Sequence, residues 1–231
     1  MSDTPGSGPF PGMSFPPPPP PPGGGSLRTG PAWEGDGAPV EKFIATARAL
    51  VTDPNGFFPR LRLSGGLQNP IIYLAIGLAI AGLASAVYSF VTPSSFMGNF
   101  GAMSSGGVMM VVMYPVMGIV GSFIGAGLFH LVLSLLGGVK QPFEATYRVV
   151  AYVMGTTSLF SLVPICGGFI GGIYAIYLYI VGLANAHECD TTKAAIAVLA
   201  PVAICCALWA LAALVFGVAL AGLFGAAASM Q

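Results

Sequence analysis

PIIYLAIGLAIAGLASAVYSFV, residues 70–91, decides the class of fold. The stretch holds no Asp, Glu, Lys or Arg. As an α-helix rising about 1.5 Å per residue it measures ~33 Å, enough to cross a ~30 Å hydrocarbon core. It sits inside a longer uncharged block, residues 63–139, and two more such blocks follow at 149–187 and 194–231. Every charge after Arg62 falls in two short windows, Lys140, Glu144 and Arg148, then Glu188, Asp190 and Lys193. Charged side chains are costly in lipid, so this spacing is expected of repeated membrane crossings.

Composition agrees. Of 231 residues, 55% are hydrophobic and 7% charged, against roughly 25% charged in a soluble domain. A water-facing surface cannot be covered with so few charges, so membrane lipid is the expected partner of most of the surface. Net charge is zero, which gives no pull towards nucleic acid. The expected fold is an all-α integral membrane protein, a bundle of about five transmembrane helices within residues 70–224. The spans read as 70–91, 108–136, 143–163, 165–184 and 194–224, with a short tail at 225–231. Pro115 and Pro201 are candidate bends. The turn at 164–168 joins the third and fourth spans tightly. The fifth stretch is long for one crossing and short for two, so a single helix and a hairpin both fit it.

Five spans place all eight Lys and Arg residues on one side. The positive-inside bias then puts the N-terminus in the cytosol and the C-terminus outside, in the cytoplasmic membrane if the chain is bacterial. Cys166 falls on the outer side and Cys189 on the cytosolic side. Ahead of the spans, residues 1–39 are rich in Pro and Gly, including Pro16 to Pro22 in a row. They have little to bury and read as a disordered cytosolic tail, without the basic and apolar regions of a secretory signal. A proline run of this kind also suits SH3-like or WW-like domains. Residues 40–69 read as an amphipathic helix and a linker. Val40, Phe43, Ile44, Ala47, Leu50 and Val51 recur at helical spacing, and the helix is too short to span, so it belongs at the membrane interface or in a groove. A turn at 53–56 leads to Phe57, Phe58, Arg60 and Arg62, which suit the headgroup layer.

Several blocks then point to a family: Asp53-Pro54 with Phe57-Phe58-Pro59-Arg60-Leu61; Gly137-Gly138; Phe143-Glu144-Ala145-Thr146-Tyr147-Arg148; Pro164-Ile165-Cys166-Gly167-Gly168; and Gly182-Leu183-Ala184-Asn185-Ala186-His187. In order and spacing the chain resembles the Yip1 domain family, especially its prokaryotic members, over roughly residues 43–214. The resemblance implies a five-helix membrane protein with a cytosolic N-terminal region. Eukaryotic relatives act in vesicle traffic and Golgi organisation and associate with Rab-type GTPases. Their aspartate–leucine–tyrosine–glycine–proline motif is absent here, its place taken by Asp53-Pro54-Asn55-Gly56-Phe57-Phe58, and the GTPase association is not carried over.

Two sets of residues are candidates for function. Small residues recur four apart: Gly118, Ser122 and Ala126; Gly121 and Gly125; Gly167 and Gly171; Gly168 and Gly172. Such rows let helices approach closely in lipid, inside the bundle or between copies in a homo-oligomer. The second set is polar. Glu144 and Arg148 have i, i+4 spacing at the start of the third span. His130, near the end of the second, and His187 and Glu188, ending the fourth, reach the same side. These five residues are expected either to snorkel separately to water or to converge on a cluster that docks an unidentified protein on the cytosolic side. No nucleophile–base arrangement, cofactor motif or metal-ligand spacing is found, so no enzyme activity, cofactor or metal is expected. The function expected is that of a Yip1-type membrane scaffold or adaptor, possible roles being membrane organisation and trafficking. The alternative is a small permease or channel subunit.

Overall fold

The computed structural model describes residues 28–91, 107–164 and 166–228, with side chains for 28–88, 111–164 and 166–214. The expected disorder of residues 1–27 and the expected loop at 92–106 lie outside the described residues. The elements are helical throughout: α1 (Pro39–Thr52), α2 (Pro54–Phe57), α3 (Gln68–Val91), α4 (Gly107–Leu135), α5 (Phe143–Thr157), α6 (Gly167–His187) and α7 (Thr191–Ala228), with 3-10 turns at Ala32–Glu34, Phe58–Arg60 and Ser158–Leu162.

Local chemistry explains the boundaries. Asp53 caps α2, its side chain accepting the Gly56 N–H at 2.9 Å. After α4, the Gly138 N–H reaches back to the Leu133 carbonyl at 2.9 Å, and Gly137 takes the left-handed φ of 63° that such a helix stop requires. Glu188 closes α6 in the same left-handed region, φ 48°, where the Cys189 N–H returns to Ala184 O. Pro115 and Pro201 both lie inside continuous helices. α7 is one continuous helix of 38 residues; at ~1.5 Å per residue it measures about 57 Å, well beyond a bilayer core.

Four helices are long and apolar enough to cross a membrane: Gln68–Tyr88, Val111–Leu135, Gly167–His187 and Thr191–Leu214. The third expected span is built differently. α5 has 15 residues, and the 3-10 turn Ser158–Leu162 continues it to a combined length of about 32 Å. At its start Glu144 accepts the Gly66 N–H, just before α3. At its end the Tyr88 hydroxyl donates to the Leu162 carbonyl. The segment thus runs the height of α3. Most of α5 is buried, from Ala145 through Val153 and again at Gly155 and Thr156, so it faces protein rather than lipid. Polar residues are tolerable there for that reason.

α3 packs on α4, α4 on α7 and α7 on α6, and α5 lies inside this arc against α3, α4 and α6. The N-terminal segment closes the side left open between α3 and α6. The Trp33 turn packs on α3, α1 on α5, and α2 with the Phe58 turn on α6. Residues 28–39 therefore belong to the fold, which moves the expected boundary of the tail at residue 39. α1 buries Phe43, Thr46, Ala47 and Leu50 against protein and leaves Val40 and Ile44 exposed. Trp33, Phe43, Tyr73 and Tyr152 form a chain of ring contacts, with centroids 4.8 Å apart for Phe43–Tyr73 and 5.0 Å for Tyr73–Tyr152.

The small-residue rows divide. Gly167 and Gly171 lie against Phe160, and Gly118 against Leu78. A Cβ at Gly121, Gly125, Gly168 or Gly172 would meet no described atom, so these four do not serve close packing within the described chain. Sequence spacing overlooked one close crossing of helices, where α3 meets α5 with Gly77 directly on the Gly155 carbonyl. At Gly171 the nearest obstacles are Phe160 Cβ at 2.8 Å and Thr157 O at 3.0 Å. Gly171→Leu should therefore destabilise by about 1–3 kcal/mol through overpacking, while Gly172→Leu should leave the melting temperature in detergent nearly unchanged. Equal effects at the two positions would contradict this packing.

Candidate functional site: a divided polar core at one end of the bundle

α5 carries two polar faces. Glu144, Arg148 and Tyr152 recur every four residues and point towards the N-terminal segment. Thr146, about 200° around the helix from Arg148, points between α4 and α6.

Arg148 is the centre of the first face, and its side chain is 1% exposed. Its Nε donates to Glu144 Oε1 at 3.1 Å, one terminal nitrogen to Glu34 Oε1 at 2.6 Å, and the other to the Gly66 carbonyl at 2.7 Å. Glu34, also 1% exposed in its side chain, receives the Tyr152 hydroxyl at 2.6 Å and has Arg62 at 3.9 Å. Glu144 in turn takes the Gly66 N–H at 2.7 Å. Two carboxylates and two guanidiniums cancel. Gly66 lies two residues before α3, so the network sits at the level where α3 begins. An isolated buried guanidinium would be prohibitive, but here all three donor directions are filled.

The second face is a relay of neutral groups. His187 Nδ1 accepts the backbone N–H groups of Lys140 and Gln141, each at 3.3 Å. With Nδ1 accepting, its ring proton belongs on Nε2, which donates to Thr146 Oγ1 at 2.8 Å. The Thr146 hydroxyl then donates to His130 Nδ1 at 2.7 Å. Beside this relay Tyr147 stacks on Phe123 with centroids 4.2 Å apart.

The five polar candidates thus do not form one cluster. Glu144 and Arg148 join one network, His130 and His187 join the other, and α5 stands between them. Glu188 belongs to neither. It is exposed, 3.5 Å from Arg28, and its backbone carbonyl takes Lys140 Nζ at 2.5 Å. Arg148 does not snorkel to water, because Glu34 meets it inside the protein. Sequence reasoning missed Glu34, Thr146, Tyr152 and Arg62. The available signals were the i, i+4, i+8 series through Tyr152 and the pair Trp33-Glu34, which supplies the sole Trp and sole Glu of residues 1–39. Among the described residues no buried side-chain nitrogen or oxygen lacks a partner.

Four helices long and apolar enough to cross a membrane, with exposed apolar side chains and two polar networks gathered at one end, define a polytopic helical membrane protein. A family model for the Yip1 domain matches residues 48–214, and the chain belongs to the Yip1 domain family. No curated protein and no solved structure matches it.

The network yields a coupled test. Arg148→Met leaves Glu34 buried without its principal partner, and breaking a buried pair in this way costs about 3–5 kcal/mol. Glu34→Gln combined with Arg148→Met should be less destabilised than Arg148→Met alone. Additive losses in thermal melts would mean that the two side chains do not interact. On the other face, Thr146→Val strands two imidazole nitrogens and should cost about 1–3 kcal/mol.

Proposed function

We propose that this Yip1 domain protein is a membrane scaffold or adaptor in membrane organisation, acting by docking a cytosolic protein rather than by catalysis. The observation that carries this reading is a polar cleft of about 440 Å³ at the charged end of the bundle, lined by Arg28, Pro59, Asn185, Glu188, Cys189 and Thr191. Glu188, its side chain 67% exposed and 3.5 Å from Arg28, brings a solvent-facing ion pair to the cleft. The buried networks nearby are internally satisfied and leave their groups committed to the fold. In this reading Glu144, Arg148, His130 and His187 shape the docking end from within, and Glu188 and Arg28 meet the partner. The positive-inside bias supports a cytosolic position for this end, since the Lys and Arg residues that flank the spans all belong to it.

Two measurements test the reading. With the other cysteines replaced by serine, a thiol-linked photocrosslinker on Cys189 in native membranes should give a discrete protein adduct, and Glu188→Lys should abolish it. Diffuse labelling unaffected by Glu188→Lys would remove the docking role. For orientation, an impermeant thiol reagent should label the exposed Cys166 on intact cells and reach Cys189 only after lysis. Burial pushes the Cys189 thiol up, with Lys140 and Lys193 pulling the other way, so its labelling after lysis should accelerate at alkaline pH. Labelling of both cysteines on intact cells would overturn the topology.

A further inference from the structure

We propose that the outer face of α1 pairs with the same face of a second copy of this chain. The two helices lie antiparallel about a two-fold axis along the membrane normal, and Glu41 of each copy bonds Arg48 of the other. The inference stands apart from the docking cleft, which lies at the Glu188 end of α6.

α1 runs across the bundle rather than along it. Towards its start the Phe43 ring lies on Tyr73 of α3. At its other end the Val51 carbonyl accepts the Tyr174 hydroxyl of α6 at 2.8 Å. α3 and α6 each pack on α5, and α1 bridges the side left open between them. It also stands within the height of the spans. Arg48 lines an apolar groove with Leu159, Phe160 and Val163. That part of the α5 segment is level with the second half of α3, since Gly77 lies on Gly155 and the Tyr88 hydroxyl donates to Leu162. Copies with one orientation in the membrane are related by an axis along its normal. A helix that crosses such an axis meets its own copy antiparallel.

Charge selects the occupant. Glu41, Ile44, Ala45, Arg48, Ala49 and Thr52 are all exposed and line one trough of about 530 Å³. Neither Glu41 nor Arg48 forms an ion pair among the described residues. The neighbouring charges are engaged: Lys42 with the Gly35 carbonyl and the Trp33 ring, Arg62 with Glu34, and Asp53 with the Gly56 N–H. A guanidinium left facing lipid at this depth is costly. The same face of a second copy carries the missing carboxylate. Setting Glu41 opposite Arg48 places the axis between Ile44 and Ala45, so symmetry forms the ion pair twice. That register also sets Ile44 opposite Ala45 and Val40 opposite Ala49. Val40 and Ile44 are the large exposed apolar side chains of α1, 70% and 58% exposed, and each meets an alanine that lets the helices approach closely. A parallel pairing would set Arg48 against Arg48 and Glu41 against Glu41.

The test uses the full chain with Cys166, Cys189, Cys205 and Cys206 replaced by serine, treated in native membranes with a membrane-permeant oxidant. Ala45→Cys, beside the axis, should give a disulfide-linked dimer, since linked α-carbons must lie within about 7 Å. Thr52→Cys lies on the same face, but in this register its two copies are roughly 22 Å apart along the helices, and it should link several-fold less. Glu41→Arg or Arg48→Glu added to Ala45→Cys should lower the linked fraction several-fold, and the two reversals together should restore it. Should a single reversal unfold the chain, Glu41→Gln and Arg48→Gln take its place, each lowering the linked fraction. Equal linking at Ala45→Cys and Thr52→Cys would overturn the proposal, because it reports collision rather than a register. So would single changes that leave linking unmoved, or a double reversal that fails to restore it. A dimer that links through Gly121→Cys or Gly172→Cys and not through Ala45→Cys would overturn it by naming a different face.

Discussion

The fold depends on a guanidinium removed from both water and lipid. Arg148 sits on the most buried helix of a membrane bundle, where an uncompensated charge would be intolerable. Glu144 supplies one compensating carboxylate from the preceding turn. The second, Glu34, comes from 114 positions earlier in the chain. It must be carried there by a folded N-terminal segment. That requirement explains why the Trp33 turn, α1 and α2 pack against the bundle, although their sequence is more polar than the spans. The aromatic chain from Trp33 through Phe43 and Tyr73 to Tyr152 fixes the segment in place, and Tyr152 then donates its hydroxyl to the same Glu34 oxygen that Arg148 holds.

α5 can be short and polar because other helices do the work of facing lipid. α3, α4, α6 and α7 present exposed apolar side chains such as Leu83, Met117, Ile173 and Leu208. The helix inside them is read by protein on every side. Each polar residue of α5 is matched to a neighbour in its own direction: Glu144 and Arg148 to the N-terminal segment, Thr146 to two histidines, Tyr147 to Ser122 and Phe123. The close approach of Gly77 to Gly155 brings α3 near enough for the Tyr73 and Thr156 hydroxyls to meet. Polar satisfaction and helix packing are here one constraint.

Much of this was legible in the sequence, and the limit has a physical form. Uncharged length marked five spans, and four of them are helices long and apolar enough to cross a membrane, because the cost of charge in lipid acts locally along the chain. The Gly137-Gly138 stop was visible because a left-handed residue there favours glycine. The i, i+4 pair Glu144–Arg148 was visible for the same local reason. Its burial was not, since that is decided by Glu34, which lies in a stretch whose Pro and Gly content argues for a tail. Spacing alone also could not say which small residues face a neighbour. Gly168 and Gly172 repeat the interval of Gly167 and Gly171, yet a rotation of about 100° around α6 separates a packed face from an open one.

The two ends of α5 then acquire different characters from a single cause. Near its start, charges are admissible because loops and helix ends supply backbone donors and carbonyls, such as Gly66, Lys140 and Gln141. Farther along, the helix gives way to the 3-10 turn Ser158–Leu162, which carries no charge: Leu159, Phe160, Leu162 and Val163 alternate there with Ser158 and Ser161, whose hydroxyls donate to carbonyls of the same segment. α1 crosses between these regimes. Its buried face joins the aromatic chain above the ion network, and its outer face leaves Ile44 and Arg48 exposed. A helix fixed there by Glu34 and Trp33 has one side set by the protein core, and the other is what it presents to its surroundings. The polar core therefore determines where α1 stands and which residues it exposes.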